Sequence, residues 1–251
     1  MNRRVKLLRV VWLSIIASLI LPVPAGLAQK AVKKPPRQSQ KSVQTKAAPR
    51  SQLATEEARD IELAVSILSG NWVLKNRTNP DGSRLDTAKG VTSIQLQTFH
   101  SNFGSARTAS RGLGSIASQE TGIHDTRTQI CPAPELIGKS YTLESSGSYT
   151  VSLLAADDPR LPLNSADEFY VLASSSVRVT GDYPPFDKEG RTANVNTVFR
   201  INRVTGTAQL MRPATDPRDL PPNVVVGLLV SGDTMTLNWS QGLLDEYVRE
   251  K

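Results

Sequence analysis

At Gly70 the hydrophobic period of this chain switches from helical to alternating, and that switch limits its fold more than any other feature. Before it, Ala58, Ile61, Ala64, Val65 and Leu68 recur at helical spacing among Glu56, Glu57, Arg59, Asp60 and Glu62. This pattern predicts one amphipathic helix over residues 55–68, capped by Thr55 and ended by Ser69-Gly70. After it, apolar and polar residues alternate in runs at 72–75, 94–99, 141–143, 149–153, 169–179, 195–203, 207–211, 224–230, 234–239 and 243–249. Turn-forming clusters punctuate the runs: Asn79-Pro80-Asp81-Gly82, Ser145-Ser146-Gly147, Asn202-Arg203-Val204-Thr205-Gly206, Ser231-Gly232-Asp233 and Ser240-Gln241-Gly242. Roughly nine strands with short turns behind one short N-terminal helix give an all-β chain, an antiparallel meander closing as a barrel or folding as a sandwich. Residues 101–138 fit this pattern poorly. They are rich in Ser, Gly, Thr and Arg and are broken by Cys131-Pro132-Ala133-Pro134, so they read as a long loop with one weak strand near 114–119.

Two segments precede the helix. Arg3, Arg4, Lys6 and Arg9 lead into an apolar run from Val10 to Leu21, followed by Pro22, Pro24 and Gly26-Leu27-Ala28. A basic start, a short apolar core and small residues at the exit form a secretory signal peptide over residues 1–28, with cleavage expected after Ala28. A retained anchor is the alternative, since the run is about the roughly 20 residues a spanning helix needs, but its last third holds two prolines. With cleavage, no transmembrane segment remains and the protein is periplasmic or secreted. Residues 29–52 are a disordered basic linker rich in Pro, Lys and Gln, too poor in large apolar residues to offset the entropy of ordering. The remainder, 53–251, is one domain.

The formal charge of +7 does not indicate a nucleic-acid partner. Eleven of the 30 Lys and Arg lie in residues 1–52, which contain no Asp or Glu, leaving 19 basic against 23 acidic residues in the body. A nucleic-acid binder carries its basic patch on a folded face; here the basicity sits on leader and linker. The linker is a spacer or an electrostatic tether to an anionic envelope surface. One cysteine, Cys131, excludes an internal disulfide, so stability rests on the core.

The junction Leu68-Ser69-Gly70-Asn71-Trp72-Val73-Leu74 resembles the opening of a lipocalin-like domain, in particular the divergent bacterial members of that group: a short helix, then Gly-x-Trp entering the first barrel strand. The resemblance covers about Leu68 to Arg249 and implies an up-and-down barrel. It also implies that Gly70 turns the chain, that Trp72 lies across the closed end and that a basic residue of the last strand, Arg249, stacks on it. The Thr180-Gly181-Asp182-Tyr183 segment departs from the family's Thr-Asp-Tyr motif.

No catalytic or metal-binding constellation emerges. His100 and His124 are widely spaced and sit in polar surroundings, which makes them solvated loop residues and leaves no zinc pattern. The carboxylate pairs Asp157-Asp158, Asp167-Glu168 and Asp245-Glu246 are sequence-adjacent and near turns, where hydration accounts for them. No cofactor is implied and the expected role is non-catalytic: a barrel holding a small, partly apolar ligand, with Tyr149, Val151, Leu153, Phe199 and Ile201 as candidate lumen residues. The alternative is a barrel filled by its own side chains, serving as an envelope interaction module through residues 101–138 or the linker; a loop-borne hydrolase is the remaining class. Cavity volume separates the first two.

Overall fold

The computed structural model describes residues 50–103, 107–124, 134–154, 161–162, 165–182, 188–211, 225–240 and 242–251. The expected leader, most of the linker, Cys131 and Asp157-Asp158 lie outside these residues. Helix α1 (Arg50–Leu68) begins inside the segment read as linker, so Thr55 falls within the helix rather than capping it. Ten strands follow: β1 (Gly70–Thr78), β2 (Lys89–Phe103), β3 (Arg107–Ile123), β4 (Ser140–Leu153), β5 (Glu168–Gly181), β6 (Arg191–Asn202), β7 (Thr207–Met211), β8 (Val225–Ser231), β9 (Thr234–Trp239) and β10 (Leu244–Glu250). Each pairs antiparallel with the next, and β10 pairs with β1 to close the barrel. The alternating pattern therefore resolves into an up-and-down barrel and not a sandwich. Closure satisfies the edge groups an open sheet would expose.

Residues 101–138 are mostly sheet, not loop. Strand β3 is 17 residues long and pairs along its length with β2 and β4. Likewise Ser145-Ser146-Gly147 is no turn: it lies within the continuous 14-residue β4. Both corrections share a cause. A Cβ at Gly114 would stand 1.7 Å from the Gln95 carbonyl oxygen, and one at Gly147 1.9 Å from that of Ser176, so the wall bends too tightly there for any side chain. Glycine marks such bends as readily as it marks turns.

Helix α1 crosses the end of the barrel reached by the β2–β3, β4–β5, β6–β7 and β8–β9 connections. Its buried face, Ile61, Ala64, Val65, Ile67 and Leu68, joins one continuous core with the inward residues of the strands. Arg203, in the β6–β7 turn, holds the helix from the rim. Its Nε and Nη2 donate to Asp60 at 2.8 and 2.7 Å, its Nη1 donates to the Ala166 carbonyl at 2.7 Å, and its guanidinium lies 4.8 Å over Phe169. The barrel thus has a helix end and, opposite it, a loop end.

Candidate functional site

The barrel interior has three levels. At the helix end, Arg249 of β10 pairs across the seam with Trp72 of β1, and its guanidinium sits 4.5 Å over the buried indole. The same side chain donates from Nη2 to the Ile67 carbonyl at 2.7 Å, meeting an acceptor left open at the C-terminal end of α1. Gly70 has φ +150°, and a Cβ there would meet the Arg249 side chain at 3.0 Å. Glycine thus serves both the backbone angle and the close passage of the arginine.

The middle level holds the expected lumen residues. Tyr149, Val151, Phe199 and Ile201 point inward and are fully buried, while Leu153, near the helix end, is half-buried. They pack with one another and with the core rather than standing around an open space; each fully buried apolar side chain contributes about 1.5–3 kcal/mol. Burial pushes the Tyr149 phenol well above its ordinary value, leaving it neutral and chemically quiet. An interior void of about 20 Å³ lies toward the loop end, lined in part by Thr92, Ser118, Glu120, Ser145 and Tyr247. Larger concavities lie on the outer wall. One of about 490 Å³ includes Val91, Ser93, Ala117 and Arg178, and one of about 760 Å³ includes Gln95, Gln97, Phe99 and Leu113.

At the loop end a buried polar network joins side chains from β1, β3, β4, β9 and β10. Arg77 donates from Nε and Nη2 to Asp245 Oδ1 and Oδ2 at 2.7 and 2.8 Å, and from Nη1 to Glu120 Oε1 at 2.7 Å. A longer contact, 3.3 Å, joins Nη2 to Glu120 Oε2. The Tyr141 hydroxyl donates to Glu120 Oε1 at 2.7 Å and the Trp239 indole N–H to Asp245 Oδ2 at 2.9 Å. Burial opposes the charge on Arg77, but Glu120 and Asp245 outweigh it and hold the guanidinium charged beyond its ordinary range. The Tyr247 phenol is pushed well up, by burial first and then by both carboxylates. Four of the five Arg77 N–H groups are engaged by the two carboxylates, so the guanidinium is a strut and not an anion receptor.

The alternating pattern does not reveal this network. From Trp72 and Leu74, alternation places Asn76 inside and Arg77 outside. A bulge between Leu74 and Asn76 reverses them, so Arg77 enters the core and Asn76 bonds Glu246. Asp245, read as a hydrated turn carboxylate, is fully buried; Glu246, its neighbour along the strand, faces outward, so the two never share a site. Glu120 lies on the strand that was read as loop.

The histidines depart from the solvated-loop reading in different ways: His100 is exposed but on a strand, and His124 is buried. His100 lies on β2, with Nδ1 2.9 Å from Ser110 Oγ and Nε2 3.7 Å from Glu62 Oε1. His124 is 2 % exposed and stacks against Tyr141 at 4.9 Å. Burial holds its imidazole below the ordinary value, against the opposing pull of Asp182. The unfolded chain takes up a proton near pH 6.5 and the folded one resists it, so stability is full above about 6.5 and falls as pH drops below it. Urea midpoints between about pH 7.5 and 5.5 should show this loss, and His124→Phe, which keeps the ring contact, should flatten it. Among the described residues no cluster of three His, Cys, Asp or Glu side chains is placed to hold a metal ion, and no helix is long and apolar enough to cross a membrane.

No protein-family model, curated protein or solved structure matches the chain.

Proposed function

We propose that this chain is a lipocalin-like barrel filled by its own side chains and that it works from its outside, as a non-catalytic interaction module in the periplasm or secreted space. The observation carrying this reading is the contrast of volumes. Among the described residues the interior void is about 20 Å³, where a small-molecule pocket takes roughly 300–1,000 Å³, while the outer wall carries open, shallow concavities of about 490 and 760 Å³. Packing of Tyr149, Val151, Phe199 and Ile201 against one another supports a plugged lumen over a carrier. The lipocalin-like assignment rests on the meander and on the Gly70–Trp72–Arg249 arrangement at the helix end. The strand number, ten, exceeds the eight of lipocalins.

Location rests on the signal-peptide pattern of residues 1–28. The basic residues of 29–52, with no acidic residue among them, support contact with an anionic envelope surface. Residues 107–123, as strand β3, offer the barrel wall as contact surface in place of the loop expected there. Native mass spectrometry of protein purified from the producing cell's envelope should give a bare mass, unchanged after incubation with envelope lipid extract. A stoichiometric small molecule released on denaturation would return the chain to the carrier class.

A further inference from the structure

The interior void and the charge of the network beside it have a common explanation. Arg77 brings one positive charge to two carboxylates, Glu120 and Asp245, all three buried. An uncompensated charge out of water is costly, of the order of several kcal/mol even after relaxation. Asp245 is well matched, with three close donors at 2.7, 2.8 and 2.9 Å. Glu120 is less so: Oε1 takes both of its close bonds, and Oε2 has the 3.3 Å contact with Arg77. Glu120 lines the void.

Gly90, Leu143 and Val179 form the apolar part of the lining, and the remaining residues supply side-chain oxygens. Ser118 and Ser145 bring hydroxyls 2.6 Å apart, Tyr247 brings its phenol, and Thr92 brings Oγ1. Thr92 is 1 % exposed, and its hydroxyl has no hydrogen-bond partner among the described residues. A volume of about 20 Å³ suits a single water-sized occupant, for which roughly 10–15 Å³ suffices. A water would satisfy Thr92 and leave the excess negative charge in place. A divalent ion would overshoot it; the second carboxylate of the lining, Glu144, is exposed and accepts from Gln119 Nε2 at 3.0 Å, so Glu120 is the buried carboxylate at the void.

We propose that the void is a monovalent-cation site, taking an ion of sodium's size among the hydroxyl oxygens of Thr92, Ser118, Ser145 and Tyr247 and the carboxylate of Glu120. The ion offsets the excess charge of the Arg77–Glu120–Asp245 network and ties β2, β3, β4 and β10 together near the loop end. This site does not depend on what the outer wall binds.

Thermal unfolding in sodium chloride and in choline chloride, at an equal ionic strength of about 0.15 M, tests it. Binding at several times the dissociation constant should raise the midpoint by about 2–4 °C in sodium, saturating with concentration. Calcium, added at constant ionic strength, should give no such rise. Thr92→Val removes one ligand oxygen at nearly constant shape and should abolish most of the sodium increment; Ser145→Ala is the second variant should the first not fold. Equal midpoints in sodium and choline would overturn the site and leave a water, or a proton on one carboxylate, in its place. A sodium increment unchanged in a folded variant would overturn it equally, by locating the ion elsewhere.

Discussion

Replacing Arg77 with Met should destabilise the barrel by about 3–5 kcal/mol, the largest effect expected of any single polar change here. The substitution leaves Glu120 and Asp245 buried without their common partner, and Tyr141 and Trp239 supply only one further hydrogen bond to each. The cost belongs to the stranded carboxylates more than to the lost attraction. Arg77→Met combined with Glu120→Gln and Asp245→Asn should therefore recover most of the stability, because the amide oxygens still accept from Tyr141 and Trp239 while the charges are gone. Urea unfolding of the wild type, the single variant and the triple variant resolves this. A single replacement costing under about 1 kcal/mol would mean that water reaches the network and that these charges are not buried in solution.

The second large effect is at the helix end. Trp72→Ala should cost about 3–5 kcal/mol, as removal of a fully buried large aromatic does. Arg249→Ala should cost less, about 1–2 kcal/mol, through its bond to the Ile67 carbonyl and its place over the indole. The informative quantity is their interaction. With the guanidinium 4.5 Å over the ring, the double variant should be less damaged than the sum of the singles by about 1 kcal/mol. Additive losses would mean that stacking contributes nothing and that Arg249 acts on the helix end alone.

The helix, the strand class and most turns were legible because their residues obey one period at a time. Ile61, Ala64, Val65 and Leu68 repeat at helical spacing and are buried on one face of α1. Tyr149, Val151, Phe199 and Ile201 alternate and all point inward. Legibility ended where the interior is not apolar. Apart from Ile116, the inward positions over the rest of β3 include Gly112, Ser118, Glu120 and Gly122, so no hydrophobic alternation marks that strand. Each has a local reason. Gly112 lies where a Cβ would come 2.5 Å from Val65, and Glu120 is held by Arg77. Such reasons arise from neighbours distant in sequence, which a single-segment reading does not contain. Arg77 was hidden by another route, since one bulged residue exchanges the inner and outer faces of everything after it.

The β1–β10 seam joins the first strand of the barrel to the last, from Asn71 opposite Glu250 to Thr78 opposite Leu244. Closure therefore waits for strand β10. During synthesis β1 emerges early and its seam edge stays unpaired until β10 arrives, so a product lacking residues 244–250 keeps bare edges on β1 and β9. Those residues also bring Asp245 to Arg77 and Arg249 to Trp72. Strand β10 thus governs whether the sheet is sealed into a barrel or left open, with edges ready to recruit strands from neighbouring molecules.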